Sequence, residues 1–312
     1  MGLKKIIKPE RLNTGDTIGI ISPASPIFKE KLDKGINYLK NLGFNVKLGR
    51  HVYGERGYLS GTDEERASDL HELFSDNSVK AVFCSRGGYG SIRILKYIDF
   101  ELIKKNPKIF VGFSDLTALE ISMLAKNGLV TFYGPTIAED LDNEIDYSGF
   151  DLLLKIISFE TNSYKVDISV HNIVKEGKST GILIGGCLSV FSSLLGSDYF
   201  PDLKNTIIFL EDTNEEPYRI DRYLSQLRLC GIFNKACGLI FGKFTRCESK
   251  EKDYKGTNVD EIIDDTASNL DIPVIKNLSF GHIKGKITIP VGIKATIDTD
   301  KMSFSFDENA VV

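Results

Sequence analysis

The segment Lys108-Ile109-Phe110-Val111-Gly112-Phe113-Ser114-Asp115-Leu116-Thr117-Ala118-Leu119 joins an apolar run to a helical pattern that starts near Asp115. A serine at such a strand-to-helix turn has its hydroxyl lifted out of the sheet edge, beside the first unpaired N–H groups of the helix. That is a nucleophile with part of an oxyanion site next to it. The spacing departs from the Gly-x-Ser-x-Gly elbow of many hydrolases, because Leu116 stands where the second glycine would be. Ser114 and Asp115 would serve equally well as helix N-caps, so this segment alone leaves both readings open. Upstream, Lys80-Ala81-Val82-Phe83-Cys84 runs into Ser85-Arg86-Gly87-Gly88-Tyr89-Gly90-Ser91. Three glycines between a strand and a helix let backbone N–H groups converge on an anion, either a phosphate or a developing oxyanion. The pattern is not Gly-x-Gly-x-x-Gly, and no P-loop Lys-Ser/Thr follows, so no nucleotide cofactor is expected. The plain alternative is a tight turn that needs positive φ. Both segments end strands of what reads as one sheet, so they can face each other across one crevice.

A general base has few candidates, because the chain has four histidines. His51 and His71 sit in polar contexts, and His171 lies in a polar connecting stretch. His282 stands in the Gly-flanked turn Phe280-Gly281-His282-Ile283-Lys284-Gly285, between two strand signals. Loops carried by a rigid scaffold are where catalytic groups concentrate. A serine and a histidine work best with a carboxylate that fixes the imidazole tautomer. Glu211 follows the apolar run Thr206-Ile207-Ile208-Phe209-Leu210 and so falls at a strand's carboxyl end, with Glu215 and Glu216 as rivals. Asp115 is expected to cap its own helix and to offer its N–H to an oxyanion. Cys84 also ends a strand, but a thiol in that apolar setting reads as core.

These groups need a scaffold, and the first half of the chain alternates strand and helix signals. Thr17–Ile21, Asn45–Leu48, Lys80–Cys84 and Ile109–Gly112 read as strands. Lys29–Leu42, a capped segment opening at Thr62, and the stretches after Ser91 and Asp115 read as helices. Such alternation argues a parallel sheet covered on both faces, with ligands at the strand carboxyl ends. After Gly134-Pro135 the pattern changes. A helix is expected over Tyr147–Phe159, a linker over 161–180, and a β-rich part from 181 to 312. Within it, Gly181–Ser197 reads as a glycine turn followed by a buried helix, and the charged stretch Glu248–Gly256 as an exposed loop.

Composition bounds the function. A length of 312 residues exceeds what one core usually fills, so two domains are expected. A hydrophobic share of 42% and a charged share of 26% are those of an ordinary globular enzyme. A net charge of −4 gives no basic footprint for nucleic acid. No apolar run is long enough for a membrane span, and none follows the basic N-terminal residues as a secretory leader would require. Five cysteines without a C-x-x-C pair suit free thiols in the cytoplasm and give no metal site.

Taken together, five blocks in order resemble the LD-carboxypeptidase family of serine peptidases, the S66 group. They are Gly15 to Ala24, Ser85 to Gly90, Gly112 to Leu119, Leu210-Glu211-Asp212 with Glu216 to Arg222, and Phe280-Gly281-His282 leading to Pro290-Val291-Gly292. The resemblance implies a Rossmann- or flavodoxin-like N-terminal domain (1–160) and a β-rich swivelling C-terminal domain (181–312). It also implies a catalytic cleft at their interface, a homodimer and no cofactor. Ser114 would be the nucleophile, Glu211 the orienting carboxylate and His282 the base, with the N–H groups of Gly88 and Asp115 at the oxyanion. Arg86 is a candidate for the substrate's terminal carboxylate. The implied reaction is release of D-alanine from a murein tetrapeptide in the cytoplasm. A branch of the same family that confers immunity to microcins cleaves peptidyl- or aminoacyl-adenylates. The short separation between Ser114 and Glu211 fits the murein branch better. A reading of another class is a non-catalytic module that uses the glycine turn as an anion cradle.

Overall fold

The computed structural model describes residues 4–140, 148–158, 164–251 and 256–312. In chain order the strands are β1 (Thr17–Ile21), β2 (Asn45–Leu48), β3 (Val79–Cys84), β4 (Ile109–Gly112), β5 (Thr131–Tyr133), β6 (Tyr164–Asp167), β7 (Ile173–Lys175), β8 (Lys178–Cys187), β9 (Thr206–Thr213), β10 (Gly238–Thr245), β11 (Val274–Ile275), β12 (Ile289–Val291), β13 (Lys294–Asp298) and β14 (Ser303–Phe306). The first sheet has the order β12-β5-β4-β3-β1-β2, and β1 to β5 run parallel. That is the flavodoxin-like doubly wound arrangement, whose crevice lies at the strand carboxyl ends. The second sheet has the order β6-β14-β13-β8-β9-β10-β11-β7, with a parallel centre and antiparallel flanks. The fold is α/β with a parallel-sheet N-terminal half and a β-rich C-terminal half, as expected.

The helices of the first half include α1 (Lys29–Asn41), α2 (Asp63–Ser75), α3 (Ser91–Ile94), α4 (Phe100–Lys105) and α5 (Thr117–Asn127). The expected capping box at the start of α2 is present: Thr62 accepts from the Glu65 N–H, and Glu65 accepts from the Thr62 N–H. A helix covers Ser148–Ile157, and the expected end residues Tyr147 and Phe159 lie outside the described residues. Residues 252–255 of the charged loop also lie outside them.

Two expectations are corrected. The stretch drawn as linker carries β6, β7 and the first residues of β8, so from Tyr164 onward it belongs to the second sheet. The glycine-rich run from Gly181 is the body of β8 and not a turn. A Cβ at Gly185 would overlap the Phe209 carbonyl, and one at Gly181 would sit 2.5 Å from the Cys237 sulfur. These glycines allow neighbouring backbone to approach closely within a strand, which turn-based reasoning mistakes for a bend.

The two sheets share one contiguous apolar core. They also exchange chain: β12 leaves the C-terminal half to pair antiparallel with β5 on the edge of the first sheet. The segment between β11 and β12 therefore passes from one sheet to the other, and it carries His282.

One core group is costly. Glu120 on α5 is fully buried, and its oxygens have no partner of normal hydrogen-bond geometry among the described residues. Burial pushes its pKa well above the ordinary value against a smaller opposing pull from the Gly112 backbone. A carboxyl that is neutral when folded and ionised when unfolded loses stability as pH rises above its unfolded pKa. Glu120→Met should therefore raise stability by about 1–3 kcal/mol at pH 7. Urea melts at several pH values should show that gain shrinking toward pH 4, and a gain independent of pH would contradict a neutral Glu120.

Candidate active site

β4 is buried throughout, and the chain then turns sharply into α5 through a 3-10 turn at Ser114–Leu116. Gly112 makes that reversal possible, because a Cβ there would lie 2.6 Å from the Leu116 Cβ. Ser114 itself has φ +60°, in the left-handed region. Holding a non-glycine residue there costs about 1–3 kcal/mol, strain of a kind that concentrates at functional turns. Thr117 donates its hydroxyl to the Ser114 carbonyl at 2.7 Å. The turn after β3 packs directly against this one: a Cβ at Gly87 would lie 3.0 Å from both the Phe113 oxygen and the Ser114 Cβ. Gly88 follows with φ +107°, a conformation that favours glycine. Neither the Gly88 nor the Asp115 N–H has an intramolecular acceptor among the described residues.

Glu211 comes from the other sheet. β9 runs two residues beyond it to Thr213, so Glu211 lies inside the strand, not after it, and is fully buried. His282 is presented by Gly281, whose φ is +118° and where a Cβ would stand 3.0 Å from Glu211 Oε2. The loop is pinned by hydrogen bonds from Lys243 N–H to the Phe280 carbonyl and from Ile287 N–H to the Ser279 carbonyl, both 2.8 Å.

These elements bring Ser114, His282 and Glu211 together. His282 Nε2 is 3.0 Å from Ser114 Oγ, and His282 Nδ1 is 2.8 Å from Glu211 Oε2. The Phe113 ring covers the imidazole, with centroids 4.7 Å apart. In this geometry Nδ1–H donates to the carboxylate and Nε2 is free to accept the serine proton. The arrangement can generate an alkoxide-like nucleophile beside two backbone donors.

The other candidates fall elsewhere. Glu215 is 3.6 Å from Arg219, and Glu216 accepts from the Lys250 N–H, so neither reaches His282. His51 pairs with Asp69 at 2.8 Å, His71 accepts from the Asp99 N–H, and His171 is exposed. Cys84 is buried, and burial pushes its thiol well above the ordinary range, which removes it as a thiolate nucleophile. The Asp115 carboxylate caps α3 and not its own helix, accepting from the Ser91 N–H at 2.7 Å. Arg86 pairs with Glu139 at 3.0 Å, while its buried Nε has no partner among the described residues. Asp212, next to Glu211, accepts from the Ser189 N–H at 2.8 Å; burial, then the Glu211 charge, push its pKa up to about 6.

Sequence reasoning missed Tyr133, Thr117 and Lys286. Tyr133 ends β5, another strand end on the same crevice, and that position was the available signal. Lys286 is buried against Asp140, 4.2 Å above the Phe113 ring. Among the described residues, no group of three His, Cys, Asp or Glu side chains could hold a metal ion, and no helix is long and apolar enough to cross a membrane.

Residues 18–134 match the LD-carboxypeptidase N-terminal domain, and residues 180–297 match the LD-carboxypeptidase C-terminal domain. A probable murein peptide carboxypeptidase of Bacillus subtilis is 39% identical over 293 residues, covering 94% of this chain and 92% of the relative. Among solved structures, microcin C7 self immunity protein MccF in complex with aspartyl sulfamoyl adenosine superposes with a TM-score of 0.90 at 26% identity, covering 98% of this chain and 100% of that one. The muramoyltetrapeptide carboxypeptidase from Oxalobacter formigenes gives a TM-score of 0.83 at 30% identity, over 93% of this chain and 97% of its own.

Proposed function

The chain belongs to the LD-carboxypeptidase family of serine peptidases, and from that premise we propose that it hydrolyses the L,D amide bond releasing the terminal D-alanine of a murein tetrapeptide. The observation that carries the reading is the continuous contact from Ser114 Oγ through His282 to the Glu211 carboxylate. Ser114 Oγ attacks the carbonyl carbon as its proton passes to His282 Nε2. The Gly88 and Asp115 N–H groups face the developing oxyanion, where loss of one such donor typically costs about 10²–10³ in kcat. Collapse breaks the C–N bond, and Nε2–H protonates the leaving D-alanine amine. Water, deprotonated by the same nitrogen, then cleaves the acyl-enzyme to the tripeptide acid and free Ser114. Arg86 would receive the substrate's terminal carboxylate by exchanging Glu139 for it.

The five free cysteines suit a reducing cytoplasm, where recycled murein peptides would be met, and the family resemblance implies a homodimer. A second reading, cleavage of aminoacyl- or peptidyl-adenylate conjugates, is supported by the close superposition on MccF. One experiment separates the two. The protein is incubated with murein tetrapeptide and, in parallel, with an aminoacyl sulfamoyl adenosine, and products are followed by mass. Release of D-alanine is expected from the first. Turnover of the second alone would replace the proposal, and turnover of neither would favour the anion-cradle module.

A further inference from the structure

We propose that Tyr133 is a positioning residue that locks the nucleophile's turn to the orienting carboxylate across the two sheets and sets the proton affinity of His282. The inference rests on the Ser114–His282–Glu211 reading and deepens it. The Tyr133 hydroxyl is fully buried; it donates to Glu211 Oε1 at 2.5 Å and accepts the Ser114 N–H at 3.2 Å. A phenol has one proton to give. With that proton on Glu211, its oxygen lone pair is what remains for Ser114.

Three consequences follow from that geometry. Glu211 has one oxygen on His282 and the other on Tyr133, so the carboxylate is held from both sides and cannot rotate away from the imidazole. The N–H of Ser114 is taken. In the familiar serine protease triad the nucleophile's own N–H forms half of the oxyanion hole, whereas here that donor is directed inward, leaving the task to Gly88 and Asp115. The Ser114 turn is also tied to the second sheet twice. Its N–H reaches Glu211 through Tyr133, and its carbonyl reaches β8 through Thr117, whose oxygen accepts the Cys187 N–H at 3.0 Å. The nucleophile of one sheet and the base–carboxylate pair served by the other are thereby kept in register.

The hydroxyl proton also withdraws charge from Glu211. Removing it leaves a more basic carboxylate against His282 and favours the imidazolium. The other titratable groups facing Tyr133 are Glu120 from α5 and Cys187 from β8, both fully buried, with Asp212 beside Glu211 on β9. Burial holds Glu120 and Cys187 neutral, so Glu211 is the charge that the hydroxyl controls.

The test uses Tyr133→Phe, with Ser114→Ala as a parallel arm. For Tyr133→Phe, kcat should fall by about 10²-fold, the scale of a misplaced reacting group. KM should stay within about threefold, since no substrate contact is removed. The imidazole of His282, followed by NMR titration without substrate, should rise in pKa by about one unit. A purely structural role would lower the melting temperature without moving that titration. Should Tyr133→Phe not fold, site-specific 3-fluorotyrosine in place of Tyr133, a stronger donor, should move the titration the opposite way. An unmoved titration with kcat within twofold of wild type overturns the inference. If Ser114→Ala is inactive while Tyr133→Phe behaves as wild type, only this inference falls. If Ser114→Ala keeps full turnover, the nucleophile assignment falls with it.

Discussion

Replacing Ser114 by alanine should leave the protein folded and reduce turnover of murein tetrapeptide by about 10⁴-fold or more, as loss of a triad nucleophile does. The change removes one oxygen, which lies 3.0 Å from His282 Nε2. The backbone bonds that hold the turn, from the Ser114 N–H to Tyr133 and from Thr117 to the Ser114 carbonyl, do not involve the side chain. Alanine tolerates φ +60° no better than serine and not much worse, so the stored strain is nearly unchanged. Any residual rate would come from the Gly88 and Asp115 donors and from binding alone. Mass-resolved release of D-alanine, with a melting curve on the same sample, is the measurement. A folded Ser114→Ala protein that still releases D-alanine within tenfold of wild type would exclude Ser114 as the nucleophile.

Ser114 and Glu211 were legible because each follows an apolar run, and His282 because a Gly-flanked turn sets it apart from three other histidines. Phe110-Val111 and Ile208-Phe209 are buried; Ser114 emerges where β4 ends, whereas Glu211 stays inside β9 and is fully buried. The glycines at 87, 88 and 112 were legible as places where backbone must turn or approach closely, and the structure gives each a specific neighbour. What escaped the sequence is what depends on a partner far along the chain. β8 looked like a turn because Gly185 answers to Phe209, which belongs to the next strand. Tyr133 drew no reading at all, since its importance comes from Glu211, which is 78 positions away. Asp115 was expected to cap locally, but its carboxylate is drawn to α3, 24 positions upstream. The crossing of β12 into the first sheet is of the same kind: Ile287–Val291 carries a strand signal, but nothing local says which sheet it joins. Local pattern specifies the element, and long-range pairing decides what the element touches.

Glu211→Gln should be nearly as damaging as loss of the nucleophile, with kcat down by about 10⁴-fold, the effect of forcing the wrong imidazole tautomer. The two oxygens of Glu211 both accept, one from His282 Nδ1–H at 2.8 Å and the other from the Tyr133 hydroxyl at 2.5 Å. An amide has a single oxygen, so one of the two donors must lose its acceptor. If the NH₂ faces His282, Nδ1 becomes the acceptor and the ring proton moves to Nε2, where it can no longer take the proton of Ser114. If the NH₂ faces Tyr133 instead, the imidazole keeps its tautomer, but the buried hydroxyl proton is stranded, at a cost of about 1–3 kcal/mol. In either pose the negative charge that stabilises the imidazolium is gone. KM should change little, because the fully buried Glu211 is out of reach of substrate. The rivals supply the control: Glu215→Gln and Glu216→Gln should each stay within about threefold of wild-type kcat, since their partners are Arg219 and the Lys250 backbone. A Glu211→Gln enzyme that retains kcat while Glu215→Gln loses it would move the orienting role to the later carboxylate and require the His282 loop to rearrange in the working enzyme.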